Sequence, residues 1–327
     1  IGGRRACRSA RPPDAPQHNP FPFRIPICMM RLTCKMARRA AAVAAARGMS
    51  SAVASERVLR ADLAAAHRLS HHFGFDEMIW NHISARCGNG FLVSPGDMLF
   101  DEVGPDDLVM SSPSNYNITA DVIHSAIYKA RPDVGAVVHH HTTAITAVAA
   151  LEEGLKYITQ DSAAFYGRVA YHEWEGLSDE YDECERIAAK LGDADTLIMR
   201  NHGAVTLGAT VGEAWVKHYY LDRICRVQCA VGARKVLQPD SQTLEHAAKQ
   251  CASLPATLLT PVRGWEGESR TVLNVRPSCA LHRYAPGSAF THGLLEWPAL
   301  LRLAQRLEAA DQAGVPATRH TSAAAMY

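Results

Sequence analysis

No run of apolar residues in this chain approaches the roughly 20 that a helix needs to cross a bilayer, although 47% of its 327 residues are hydrophobic. No transmembrane segment is expected. An excess of charge is also missing: 34 basic and 33 acidic side chains leave a formal net charge of +1. A surface so balanced offers no electrostatic footprint for nucleic acid or for an anionic membrane. The nine cysteines contain no C-x-x-C pair and no regular framework. They read as free thiols of a reducing compartment. Cys225 and Cys229, four apart on an apolar helix pattern, read as core thiols.

Periodicity is missing from residues 1–54. "RPPDAPQHNPFPFRIP" is proline-rich, and the 54 residues hold nine arginines, one lysine and a single acid, Asp14. Such a composition reads as a disordered or targeting segment of the transit-peptide type. A start at Met49 is the competing reading. The expected location is the cytoplasm, or a mitochondrion or plastid if the segment is a transit peptide.

From residue 55 the pattern changes. "SERVLRADLAAAHRLSHHFGF" has helical spacing, with Ser55 as its cap and Gly74 as its stop. His67, His71 and His72 read as part of its solvated face. "MIWNHISARC" and "GFLVSP" alternate like strands and flank a Gly-Asn-Gly hairpin signal. "DDLVM" reads as a short strand, and "TADVIHSAIYKARPD" as a helix capped by Thr119 and stopped by Pro132. Strand and helix then alternate through "VGAVVHHH", "TTAITAVAALEEGL", "GRVAYHE", "DECERIAAKLGD" and "TLIMRNHGAVTLG" to the long helix "TVGEAWVKHYYLDRICRVQCAVGA". Such alternation predicts a layered α/β domain over 55–238. Residues 239–291 read as a linker or irregular insertion, and 254–290 in particular as a retained intron or disordered insert. A helix over 292–312 and a tail over 313–327 complete the division.

Histidine is what the chain has in quantity, with sixteen. His18, His282 and His320 read simply as solvated polar residues. The informative group is His139-His140-His141, at the end of an apolar strand pattern. Side chains on a strand alternate faces, so His139 and His141 point one way and His140 the other. H-x-H at a strand end can present two imidazoles to one metal. His202, in the Asn-His-Gly turn after another apolar run, can supply a third if the two strands are neighbours. Three histidines leave a coordination position open, as in catalytic zinc sites. Iron(II) and manganese also accept imidazole ligands.

"RPD", "VVHHH" and "RNHG" at this spacing, with "IHSAIY", "RVAYHEWEG" and "LGATVGEAW" around them, closely resemble the class II aldolase/adducin family. The resemblance runs from about Arg57 to Val231, and "LLEWPALLRLAQRLEAAD" resembles the C-terminal helix of adducin-like bacterial members. It implies a three-layer α/β/α sandwich with a mostly antiparallel central sheet. It further implies that His139, His141 and His202 match the family's metal ligands, with zinc expected first, and that the chain forms a homo-tetramer.

Departures from the sugar-phosphate aldolases of this family blur the reaction. Their acid/base glutamate stands nineteen residues before the first metal histidine; that position here is Ala120. The remaining proton-transfer candidates are Asp121, His124, Tyr171, a residue of a second subunit, or water. Asp121 is turned about 100° from Ala120 around the helix. His124 either faces the site or packs under it, and Tyr171 either lines the site or packs structurally. His140 is expected to hydrogen-bond into the layer behind. The aldolases' phosphate-binding pairs correspond to Trp80-Asn81, Gly96-Asp97 and Ile118-Thr119. Asn81 is retained as a substrate-binding candidate, whereas Trp80 adds bulk and Asp97 adds a charge that opposes phosphate. Gln160 occupies the place of a tyrosine that aldolases lend from a neighbouring subunit. The implied function is metal-dependent chemistry on a small hydroxy-carbonyl or oxo-acid substrate, lyase-type through a stabilised enediolate or oxygenase-type. The alternative is a non-catalytic adducin-like head that mediates oligomerisation or binds the actin/spectrin cytoskeleton. Against it, "RHTSAAAMY" at 319–327 is not the lysine-rich tail that carries that activity in adducins.

Overall fold

A computed structural model of the chain describes residues 55–111, 117–252, 261–263, 269–271, 293 and 296–314. The segment expected over 1–54 and the tail beyond residue 314 lie outside the described residues. So does most of 254–290.

Helix α1 spans 55–73 and buries Leu63, Ala66 and Leu69 on one stripe. Gly74, at φ 70, takes the left-handed conformation that ends it. Strands β1 (His82–Cys87) and β2 (Gly90–Val93) form the expected hairpin, closing on the Cys87–Gly90 pair. β3 is Val109–Met110 and α2 is Ile118–Ala130. The cap of α2 is Asn117, not Thr119. The Asn117 side chain accepts from the Thr119 N–H at 3.0 Å, so the helix starts one residue before the expected cap. β4 (Ala136–His140), α3 (Thr143–Ala149), β5 (Val169–His172), α4 (Glu183–Leu191), β6 (Thr196–Met199), β7 (Gly203–Gly208) and α5 (Val211–Val231) follow as the periodicity predicts.

The sheet order is β3-β2-β1-β4-β7-β6-β5, and only β5–β6 is parallel. β4 therefore lies in the middle, paired with β1 on one side and β7 on the other. On one face α2 and α4 bury Ile123, Ile127, Ile187 and Leu191 against Val137, Leu197 and Val205. On the other, α1 and α5 bury Leu69 and Trp215 against Ile83, Leu92 and Val138. Ile145 of α3 and Ile224 of α5 cover Ile198 and Ala204 on that same side. The result is the three-layer, mostly antiparallel sandwich that the resemblance implies.

Residues 239–291 are not uniformly irregular. Helix α6 (Ser241–Ala252) buries Leu244 and Cys251, the latter in the cluster with α3 and α5. Only two of its side chains are buried, so the apolar stripe was too narrow to stand out as a period. Within 254–290, β8 (Pro261–Arg263) and β9 (Ser269–Thr271) pair antiparallel. Helix α7 (Glu296–Gln312) closes the fold by setting Trp297 against Gly212, where a Cβ would strike the indole. No helix among the described residues is long and apolar enough to cross a membrane.

The "RPD" stretch is a structural staple. Arg131 grips the Asp133 carboxylate at 2.8 and 2.9 Å and donates to the Ala194 carbonyl at 2.8 Å. Arg86 donates to the carbonyls of Tyr128 and Val134, both at 2.9 Å. Two guanidinium forks thus fix the turn between α2 and β4, and with it the strand that carries the histidines.

Candidate metal centre

At the end of β4, His139 pairs with Val205 of the neighbouring strand β7, and His140 pairs with Ala204. His202 directly precedes β7. The expectation placed His202 at the end of the preceding strand, β6, but β6 is not adjacent to β4. The tight turn reverses the chain so that the start of β7 delivers His202 beside the end of β4. Asn201 takes φ 57 in that turn, and the His202 N–H donates to the Met199 carbonyl at 3.2 Å. One ring nitrogen from each of His139, His141 and His202 lies within 4.8 Å of the others.

His140 does point the opposite way, as strand alternation requires. It is fully buried beside His218, at 4.6 Å between rings. The expected hydrogen bond is not there: neither ring nitrogen has a partner among the described residues. Its surroundings are the rings of Phe75, Phe100 and His218.

The outer nitrogens of the pair are tied down. His139 Nδ1 lies 3.1 Å from the Ala204 carbonyl oxygen and His141 Nδ1 lies 2.7 Å from a Glu77 carboxylate oxygen. Both partners are acceptors, so both Nδ1 atoms carry the proton. The two Nε2 atoms then face each other at 2.8 Å. Two lone pairs that close repel unless a proton or a cation lies between them. Burial, reinforced by the neighbouring histidines, holds His139 well below the ordinary imidazole range. Burial and His141 push His202 down to about 4. Neutral imidazoles with Nε2 turned inward are the form that ligates a divalent cation. The donor set therefore fits a metal.

Behind the three histidines runs a buried polar chain that sequence reasoning missed. β1 pairs His82 directly with His139, with ring centroids 4.7 Å apart. His82 Nδ1 lies 2.7 Å from His124 Nε2, His124 Nδ1 lies 2.5 Å from Ser84 Oγ, and Ser84 Oγ lies 2.9 Å from Tyr128 Oη. His124 thus packs under the site and supports His82. Burial pushes His124 down to about 3 and pushes the Tyr128 hydroxyl up. His82 was hidden because its role depends on cross-strand register. Glu77 was hidden because it lies in an aperiodic turn; an acid shortly before an H-x-H partner strand is too weak a signal alone.

The other candidates are placed elsewhere. Asp121 accepts from Ser125 Oγ at 2.9 Å and from the Tyr181 hydroxyl. Tyr171 belongs to packing: its hydroxyl accepts from the Leu155 N–H at 3.0 Å, and the Arg200 guanidinium lies 4.3 Å above its ring. Asn81, just before β1, is buried, with no hydrogen-bond partner for its amide among the described residues. Gln160 is exposed and lines a groove of about 480 Å³ with Leu237 and Leu244.

Fold and site together define an aldolase-type scaffold with a histidine centre at the end of its middle strand. The chain belongs to the class II aldolase and adducin N-terminal domain family, which matches residues 61–229. It is similar to an aldolase II superfamily protein from Pseudomonas syringae, at 33% identity and TM-score 0.61, covering 77% of this chain and 93% of that one. It is also similar to the L-fuculose 1-phosphate aldolase of Glaciozyma antarctica, at 25% identity and TM-score 0.60, covering 79% and 92%. Alpha-adducin of Rattus norvegicus is 37% identical over 188 residues, which is 53% of this chain and 25% of that protein.

Proposed function

We propose that the chain is a divalent-metal-dependent enzyme acting on a small hydroxy-carbonyl or oxo-acid compound. His139, His141 and His202 hold the metal, with zinc the best match to three imidazoles and iron(II) or manganese as alternatives. The observation that carries the reading is the pair of inward Nε2 atoms at 2.8 Å, with both outer nitrogens bonded to acceptors. A metal bound there supplies Lewis-acid polarisation of a substrate carbonyl. The protein's own residues do the rest. Glu77 fixes the His141 tautomer. Ala120 leaves no carboxylate at its own position on α2, the Asp121 carboxylate is taken up by Ser125 and Tyr181, and the group next to the centre is His82. Its Nε2 lies 3.4 Å from Thr119 Oγ1, beside Ala120, while His124 holds its other nitrogen. His82 is therefore the proton-transfer residue of this reading, in place of Asp121 and Tyr171.

Metal analysis of the full-length protein tests it. One equivalent per chain is expected in the wild type. His139→Ala should weaken Zn(II) binding by more than about 100-fold, because losing a group that only hydrogen-bonds to a ligand already costs about 10- to 100-fold. Glu77→Gln should weaken it by about 10- to 100-fold, read by competition with a chromophoric chelator. Wild-type protein that takes up no stoichiometric metal would falsify the enzyme reading.

One observation favours a second reading. The missing carboxylate at Ala120, together with the similarity to alpha-adducin, suits a non-catalytic head that joins copies of itself, as a homo-tetramer, or engages the actin/spectrin cytoskeleton. Metal-free wild type that still assembles would support it.

A further inference from the structure

The turn over the centre carries two large apolar side chains held in water. The Trp80 N–H donates to the Glu77 carbonyl at 3.0 Å, closing residues 77–80 into a turn. Its first residue reaches His141 through the Glu77 carboxylate at 2.7 Å. Two residues past its end, His82 stacks beside His139 at 4.7 Å. Both ends of the turn are thus anchored on the histidine centre. Between the anchors, Met78 is 71% exposed and Trp80 is 55% exposed. Met78 also takes φ 48, a left-handed conformation that side-chain-bearing residues rarely adopt. Such outliers persist where surrounding structure imposes them, and they gather at ligand-binding sites. Trp80 stands two residues before His82, the first residue of β1, so the indole is carried on the short stretch between the two anchors.

Resting on the metal reading above, the geometry points to Trp80, with Met78, as the specificity-determining platform for the substrate's organic tail. The substrate class is a metal-chelating hydroxy-carbonyl or oxo-acid bearing an aromatic or branched apolar group, without phosphate. An indole face stacks on a planar or apolar group. The Glu77 carboxylate in the same turn adds a negative charge that opposes a phosphate.

Hydroxamates chelate divalent metals through two oxygens and so stand in for the hydroxy-carbonyl group. Full-length protein loaded with Co(II) is titrated with acetohydroxamate, benzohydroxamate and phosphonoacetohydroxamate, read by the visible Co(II) bands and by calorimetry. Benzohydroxamate should bind about tenfold tighter than acetohydroxamate, and the phosphonate should bind weakest. Trp80→Gly should bring the two neutral probes to near-equal affinity, and Trp80→Phe should keep most of the preference. Both should leave Co(II) affinity within about twofold of wild type, since Trp80 is no ligand. Equal wild-type affinities for the neutral probes, a tightest-binding phosphonate, or a preference that survives Trp80→Gly each overturns the platform while the metal reading stands. No Co(II) uptake overturns both.

Discussion

Lowering the pH from 7 to 5 is expected to cost the metal-free protein about 3–4 kcal/mol of stability from two histidines alone. His67 and His218 are fully buried against the sheet face opposite the metal centre. Burial pushes His67 down to about 4, against a weaker upward pull from its bond to the Leu63 carbonyl. Burial and His141 push His218 down to about 3. In the unfolded chain both titrate near 6.5. Below that value the unfolded state takes up protons that the folded state refuses, so stability falls with pH. The loss runs from about 6.5 down to the folded values, at about 1.4 kcal/mol per pH unit for each group. His140, held well below 6.5 by burial and by His218, pushes in the same direction. Urea unfolding in chelator at pH 7 and pH 5 reads the difference. His218→Gln keeps a polar group for Thr206 but cannot charge, and should remove about 2 kcal/mol of the pH-dependent loss. Equal stability at the two pH values would show that these rings are not buried as neutral groups.

These histidines also mark the limit of what the sequence discloses. Spacing placed His67 on a solvated helix face, because three polar residues near a helix end look like a water-facing strip. The ring instead packs edge-on to Phe100 at 4.6 Å and returns its proton to its own helix backbone. Alternation along β4 was enough to separate His139 and His141 from His140, because a period of two survives without tertiary knowledge. The partner His202 was reachable because a turn signal follows an apolar run. His82 was not, because only the antiparallel register of β1 on β4 sets it opposite His139. Tyr171 stayed open between site and packing for the same reason: periodicity does not show where its hydroxyl goes, and that hydroxyl accepts from the Leu155 N–H. The layers were legible from periodicity and from the family resemblance. The chemistry of the site lies in cross-strand neighbours and in one aperiodic turn.

Asp195→Ala should destabilise the protein by about 3 kcal/mol, and the loss should be nearly the same at pH 7 and pH 5. Lys217 of α5 is buried, and its ammonium rests on the Asp195 carboxylate at 2.9 Å and the Leu207 carbonyl at 2.6 Å. Removing the carboxylate leaves a buried cation whose remaining counter-charge among the described residues is Glu213, at 3.7 Å. That residual partner puts the cost at the low end of the roughly 3–5 kcal/mol typical of broken buried pairs. Arg168 also grips Asp195, but its side chain is 41% exposed, so its share is screened and small. Burial alone would raise the Asp195 pKa; the Lys217 ammonium and the Arg168 guanidinium outweigh it and hold the group below its ordinary value. A depressed carboxylate contributes its full stability above the unfolded value of about 3.9 and loses it only as pH falls below that. The window therefore lies beneath that of the buried histidines, and the two effects separate cleanly on one pH series. Asp195→Leu with Lys217→Met should recover most of the loss, because an apolar pair of similar volume needs no counter-charge. Single variants within about 0.5 kcal/mol of wild type would mean that the ammonium reaches water and the pair is a surface contact.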